Sequence, residues 1–277
     1  MHRVKRSGPE NFSDRYGAWA VVAGASEGLG AAFAQGLAQR GMNLVLLARR
    51  KSLLDALAED IQRKLPVKAL CFETDLAMPE YSSGLQGVLS DLDVGIAVYN
   101  AAYAPVGDFT GMDRADLLQV VNVNVRGPVL LARTLLPRMI ARKRGALVLM
   151  SSLAGNQGSP LLAAYAASKA FNSVLAEGLW HELRPAGIDV IVCCAGAVRT
   201  PGYAVAAAKD APGAVDPEFV VKKTLDALGR GPRVIPGFVG QLANFILGRL
   251  LPRRMAIAIM AGSTKKLSGP EKRKAAS

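Results

Sequence analysis

Much of enzyme chemistry depends on residues this sequence has few of. Among its 277 residues are three cysteines, Cys71, Cys193 and Cys194, an odd number with no C-x-x-C spacing. Neither a disulfide framework nor a zinc module is supported, and a reducing, cytoplasmic setting fits. Two histidines, His2 and His181, are the whole complement, which leaves little room for a Ser-His-Asp triad or a histidine metal site. Any catalysis must use other groups, without a metal. No uninterrupted apolar run of about 20 residues is present, because Arg249, Arg253 and Arg254 cut the stretch 238–262. The N-terminus carries no apolar core of a signal peptide.

Basic residues are plentiful by comparison, with a net charge of +12. Residues 1–6 hold +3 of it and residues 249–277 hold +7, which leaves only +2 on the chain between them. A nucleic-acid binder is expected to carry its basic face on the folded body, so nucleic acid is not an expected partner. Basic ends on a neutral body fit solvated tails or contact with an anionic membrane surface.

With 51% hydrophobic and 20% charged residues, the chain can bury a large core in one domain. Apolar strand-like runs alternate with amphipathic stretches. Strands are expected at 18–23, 43–48, 67–72, 94–99, 146–151, 188–194 and 233–235, and helices at 28–39, 52–64, 79–89, 114–142, 161–184 and 217–228. This alternation specifies an α/β fold, a doubly wound parallel sheet of Rossmann-like type. The expected organisation is a basic arm over 1–15, a single domain over 16–236, and a helical, basic C-terminal extension over 237–277. The alanine-rich segment 202–217, flanked by prolines, is the expected mobile loop.

The first strand runs into Ala23-Gly24-Ala25-Ser26-Glu27-Gly28-Leu29-Gly30 and a helix follows at once. Glycines let such a turn reach positive φ and let backbone N–H groups approach a pyrophosphate at the helix N-terminus. The spacing is G-x-x-x-G-x-G, since Phe33 stands where the G-x-G-x-x-G pattern needs its third glycine. About twenty residues on, the second strand ends in Ala48-Arg49-Arg50-Lys51. No acid is there to accept from a ribose 2′-hydroxyl, whereas Arg49 and Arg50 could hold a 2′-phosphate. The expected cofactor is therefore NADP, with NAD as the alternative and a solvated basic turn as the bland one.

Tyr165 and Lys169 are four residues apart on the expected helix 161–184, which places phenol and ammonium on one face. A tyrosine beside a lysine and a nicotinamide cation is expected to have its pKa drawn down toward neutrality. Chance alone gives about 0.3 such pairs in a chain of this composition, so the pair needs support. Ser151-Ser152 provide it at the end of the fifth strand, at the carboxyl edge where doubly wound sheets bind ligands. Asn122 and Asn124 are unfavourable inside a helix. A water-binding or Lys169-holding role would explain one of them, and a local backbone bond would explain the other.

Together these residues resemble the short-chain dehydrogenase/reductase family over about residues 16–235. The family's T-G-x-x-x-G-x-G turn corresponds to Ala23 to Gly30, its Asp-Leu to Asp75-Leu76, and its N-A-G to Asn100-Ala101-Ala102. The resemblance implies catalytic positions at Asn124, Ser152, Tyr165 and Lys169. It implies cofactor contacts from Gly24, Ser26, Glu27, Gly28, Leu29, Gly30, Arg49, Asp75, Leu76, Asn100, Ala101, Tyr165 and Lys169, and from Val198 and Thr200 after the sixth strand. Three departures, Ala23, Ala102 and Ala195, each put a small residue where the family has threonine, glycine and proline, and they bear on cofactor affinity more than on chemistry. Glu27 stands where many NADP-using members carry a basic residue.

The implied activity is reduction of a carbonyl, or oxidation of the matching secondary alcohol, with a non-catalytic NADP-binding regulator of the same fold as the alternative. Leu153, Gln157, Leu161, Leu162 and the loop after Thr200 are expected to shape a lipophilic pocket. The opening Tyr16-Gly17-Ala18-Trp19-Ala20 resembles the 3-oxoacyl-CoA reductase and 17β-hydroxysteroid dehydrogenase branch, which handles lipophilic carbonyls at membranes. In the extension, Phe238, Leu242, Phe245, Ile246 and Leu250 recur at helical spacing. They fit either peripheral membrane contact or a homo-oligomer interface.

Overall fold

Runs of β-branched and aliphatic residues too short for helices build the centre of the molecule. A computed structural model of the chain describes residues 12–206, 211 and 213–265. Residues 1–11 of the basic arm, 266–277 of the extension, and 207–210 and 212 of the expected mobile loop lie outside the described residues. The strands are β1 (Trp19–Ala23), β2 (Asn43–Ala48), β3 (Ala69–Glu73), β4 (Val94–Tyr99), β5 (Gly145–Ser152), β6 (Ile188–Ala195) and β7 (Arg233–Val234). All pair in parallel, in the order β3-β2-β1-β4-β5-β6-β7. The central strand β4 is buried at every position, as a sheet covered on both faces requires. The edge strand β3 has only half-buried and exposed residues.

The helices are α1 (Phe12–Tyr16), α2 (Gly28–Ala38), α3 (Lys51–Lys64), α4 (Tyr81–Val88), α5 (Arg114–Val121), α6 (Gly127–Ala141), α7 (Ala163–Leu183), α8 (Pro201–Ala206), α9 (Pro217–Asp226), α10 (Phe238–Phe245) and α11 (Arg253–Thr264). On one sheet face Phe33 and Leu37 of α2, Leu54 and Ile61 of α3, and Val220 and Leu225 of α9 close a core. On the other, Leu85 of α4, Leu131 and Leu135 of α6, and Ala176 of α7 close a second. Deleting a fully buried leucine from either layer is expected to cost about 2–5 kcal/mol.

Two sequence expectations need correction. The helix expected over 114–142 is two helices joined by a π-helical turn, Asn122–Arg126, the irregularity by which a chain accommodates residues that fit a helix interior poorly. The arm expected over 1–15 is partly structural. Its last residues form α1, whose Phe12 and Tyr16 are buried in the core, and Tyr16 Oη and Arg15 Nη2 each donate 2.8 Å bonds to Asp189 Oδ2 on β6. The short spacing of Phe12 and Tyr16 gave too few turns for a periodic signal.

Candidate active site

The strand order reverses between β1 and β4, and there the carboxyl edge opens the crevice in which such sheets hold ligands. The turn leaving β1 is made of residues only glycine can supply. Gly24 has φ +82 and Gly28 φ +56, and a Cβ on Gly30 would lie 1.8 Å from the Gly24 carbonyl oxygen. Asn100 Nδ2 donates 3.1 Å to that same Gly24 oxygen, and Ala101 packs where a Gly24 Cβ would be, so the end of β4 fixes the turn. The turn leads into α2, whose first turn carries no acid and whose N-cap residue Glu27 makes no side-chain capping bond. A glycine cradle beneath helix N–H donors fits the pyrophosphate of a nicotinamide dinucleotide.

The other expected contact residues come from separate loops, and Thr200 touches the cradle. The Thr200 methyl group lies against Gly28, while Thr200 Oγ1 accepts from the Tyr203 N–H at 3.2 Å. Val198 is buried and bridges to Val215. Leu76 is buried, and Asp75 Oδ1 accepts from the Ala77 N–H at 2.9 Å, which fixes the turn after β3. Leu29 packs against the core. The arginine pair divides in a way its spacing did not foretell. Arg50 Nη2 donates 2.9 Å to Ser26 Oγ and pairs with Glu27 Oε1 at 2.8 Å. Arg50 is therefore held on the glycine turn by the acid beside it. Arg49 is exposed at the end of β2.

Ser152 closes β5 and Tyr165 and Lys169 lie on the first turns of α7. The Ser152 Oγ accepts from the Ala154 N–H at 3.2 Å and is hydrogen-bonded to Tyr165. Lys169 is 3% exposed; its Nζ donates to the Met150 carbonyl at 3.0 Å and lies 5.5 Å from the centre of the Tyr165 ring. The three side chains therefore meet at the carboxyl edge. Burial lowers the Lys169 pKa to about 8, with Cys194 and Cys193 opposing. Burial raises that of Tyr165 above the ordinary tyrosine value, and the Ser152 bond pulls the other way. The downward pull expected of a lysine and a nicotinamide cation together belongs to the loaded site; in the chain by itself the shift is upward, with burial its largest cause.

Asn124 bonds to neighbours other than Lys169. It is fully buried in the π turn, where its Oδ1 accepts from the Tyr103 N–H at 2.8 Å. Its Nδ2 donates to the Tyr103 carbonyl at 2.9 Å and to Ser168 Oγ at 3.0 Å. The side chain is fully engaged and holds the loop after β4 to α7, one residue from Lys169, instead of touching Lys169 itself.

Sequence reasoning missed Tyr103, Ser168 and Ser173. Ser173 Oγ donates 2.9 Å to Ser151 Oγ, which in turn donates 2.7 Å to the Lys169 carbonyl. It also missed most of the apolar hollow beside Tyr165, lined by Pro105, Phe109, Met112, Leu117 and Leu162. The available signal was topological, since a loop leaving β4 must emerge at the carboxyl edge. Of the expected pocket residues, Leu162 lines the hollow. Gln157 instead turns inward and donates to the Leu153 carbonyl at 3.4 Å.

The short chain dehydrogenase family profile matches residues 18–210, and the chain belongs to that family of oxidoreductases. It is 33% identical to a 7beta-hydroxysteroid dehydrogenase of Clostridium sardiniense, over 79% of this chain and 85% of that one. A very-long-chain 3-oxoacyl-CoA reductase of Podospora anserina is 39% identical over 63% of this chain and 53% of its own length. The human inactive hydroxysteroid dehydrogenase-like protein 1 is 36% identical over 69% of this chain and 59% of its own; the chain thus spans only a little over half of these last two. Among solved structures, a 7beta-hydroxysteroid dehydrogenase superposes with TM-score 0.86 at 27% identity, over 91% of this chain and 99% of that one. A short-chain dehydrogenase of Sphingobium yanoikuyae in complex with NADPH superposes with TM-score 0.72 at 31% identity, over 78% of this chain and 87% of that one.

Proposed function

We propose that the chain is an NADPH-dependent carbonyl reductase for a lipophilic ketone or oxoacyl substrate, working in reverse as an alcohol dehydrogenase. The observation that carries this reading is the meeting of Ser152, Tyr165 and Lys169 at the sheet edge that also carries the glycine turn, with an apolar hollow lined in part by the tyrosine. When bound, the nicotinamide supplies the hydride. Gly24, Gly28 and Gly30 would hold its pyrophosphate, Asn100 and Ala101 would keep that turn in place, and Val198 and Thr200 would face the nicotinamide end. Ser152 orients the substrate oxygen and stabilises its developing charge. Tyr165, kept protonated by burial, donates the proton to that oxygen. Lys169, charged below about pH 8, lies beside the ring and favours the phenolate left after transfer. Asn124 acts by holding the wall formed by the loop after β4.

The 2′-phosphate preference rests on Arg49, the arginine that Glu27 does not hold. The relative named inactive keeps a second reading open, a cofactor-binding regulator without turnover, and the intact Ser152, Tyr165 and Lys169 favour catalysis over it. Exposed Leu118, Val121 and Val129 on α5 and α6 and Val174 on α7 support a homo-oligomer. On the extension, exposed Phe238, Leu242, Phe245 and Leu250 with Arg249 and Arg254 support peripheral contact with anionic lipid. Among the described residues no helix is long and apolar enough to cross a membrane. The test is NADPH consumption over a panel of ketones and 3-oxoacyl thioesters, with NADH as comparison. Tight NADPH binding without turnover on any of them supports the regulator instead.

A further inference from the structure

Asn156 ends the short 3-10 turn Leu153–Asn156 that follows Ser152, and both polar atoms of its side chain and its carbonyl are bonded to distant parts of the chain. Its Nδ2 donates 2.8 Å to Asn244 Oδ1 on α10. Its Oδ1 accepts from Arg233 Nη2 on β7, and its carbonyl accepts at 2.8 Å from Arg253 Nη1 at the start of α11. A cation at a helix N-terminus is unfavourable toward the dipole, so Arg253 is held there by this bond. The same turn is packed against the catalytic helix, because a Cβ on Gly155 would lie 2.7 Å from the Ala170 nitrogen and 3.0 Å from Lys169 Cβ. Leu153 lies against Gly240 of α10 on one side and Gly196 after β6 on the other. Val239 fills the space where a Gly213 side chain would be, on the loop that follows Thr200. One face of α10 thus touches segments flanking both Ser152 and Thr200, while Phe238, Leu242 and Phe245 point away.

We propose that α10 and α11 form the outer wall of the substrate site, and that Asn156 is the positioning residue that fastens this wall to the Ser152 turn and so sets how bulky a ketone is accepted. The proposal rests on the carbonyl reductase reading for its substrate and on the Asn156 contacts for its mechanism. A compact ketone needs only Ser152, Tyr165 and the inner hollow. A larger one extends outward and takes part of its binding from the wall, so loosening Asn156 acts on the binding of large substrates and leaves the chemical step alone.

The experiment compares the full-length parent with Asn156→Ala, Asn156→Asp and Asn244→Ala, using cyclohexanone and the two-ring ketone 2-decalone with NADPH. Asn156→Ala is expected to raise KM for 2-decalone about tenfold or more while kcat/KM for cyclohexanone stays within about threefold. Asn156→Asp is expected to restore the parent values, because a carboxylate still accepts from Arg233 and a turned Asn244 amide can donate to it. Equal losses on both ketones, or no loss on either, overturn the proposal. If the parent reduces neither ketone nor any member of the wider panel of ketones and 3-oxoacyl thioesters, the carbonyl reductase reading is what fails. The wall is then read by amide hydrogen exchange over 153–158, which is expected to quicken in Asn244→Ala, a variant that keeps Asn156 and the fold, and to match the parent in Asn156→Asp. Unchanged exchange in Asn244→Ala overturns the fastening with or without activity.

Discussion

Two parts of the candidate site lie at the same sheet edge and are governed by opposite physics. Lys169 is buried and Ser152 and Tyr165 are half-buried, so desolvation is the largest influence on the lysine, which is pulled down, and on the phenol, which is pushed up. Arg49, Arg50 and Glu27 are at the surface, where water screens charge and a side chain is free to change partners; Arg50 has taken Glu27 and Ser26. In the enclosed part, residue identity at fixed spacing nearly determines the role. In the exposed part it does not, because three charges admit several pairings of similar energy.

The sharpest way to break this contrast is to remove the phenol. Tyr165→Phe is expected to keep NADPH affinity and lower kcat by roughly 10² to 10⁴-fold, the usual worth of a general acid; activity within about threefold of the parent would take Tyr165 out of the mechanism. Next in size is the glycine turn. Gly30→Ala puts a Cβ 1.8 Å from the Gly24 oxygen, so the turn must open; a loss on the order of 3 kcal/mol in thermal or denaturant unfolding is expected, with NADPH binding abolished. An unaltered midpoint and an unaltered cofactor affinity would show that the turn is not rigid.

At the exposed turn the effects are smaller and of both signs. Arg49→Asp is expected to lower the NADPH over NADH ratio of kcat/KM by about tenfold, through loss of a charge-assisted bond. Glu27→Gln frees Arg50 and is expected to raise that ratio by about threefold, the scale of an exposed ion pair. If Glu27→Gln lowers the ratio instead, Arg50 depends on Glu27 for its placement and the division of roles between the two arginines is reversed.

A last effect separates burial from chemistry. Unfolded Lys169 keeps its proton to about 10.5, the ordinary lysine value, and folded Lys169 only to about 8. Between those pH values the unfolded chain binds more protons, so the lysine's contribution to stability rises with pH. Buried Cys193, raised to about 12, works the other way above pH 9. Without cofactor, Lys169→Met is therefore expected to be more stable than the parent at pH 7, by a margin that narrows by about 1 kcal/mol between pH 8 and pH 9. A margin independent of pH in paired unfolding curves would place the ammonium in water.

The sheet was legible because parallel strands covered on both faces are continuous apolar runs, and the displacements at β3 and β5 amount to a residue or two. The glycine turn and the Tyr165–Lys169 pair were legible because backbone sterics and helical spacing are local rules. Asn124, Asn156 and Arg50 were not. Each does its work by bonding to residues far along the chain, Tyr103, Asn244 and Glu27 among them, and no local period encodes such partners. The π turn escaped for a related reason: 114–142 is a good helix by composition, and only the packing of Asn124 against Tyr103 and Ser168 makes the extra residue worthwhile.

The bonds from α1 to Asp189 bear on how the molecule is made. Arg15 and Asp189 are 174 residues apart, so the segment that packs α1 on the core is synthesised long before its partner and finds it only when β6 has emerged. Until then Phe12 and Tyr16 have no finished surface to cover. Long-range closures of this kind slow folding and leave apolar surface open to aggregation. An Asp189→Ala chain is therefore one whose newly made molecules would depend most on chaperones, even where its finished molecules keep their catalytic edge intact.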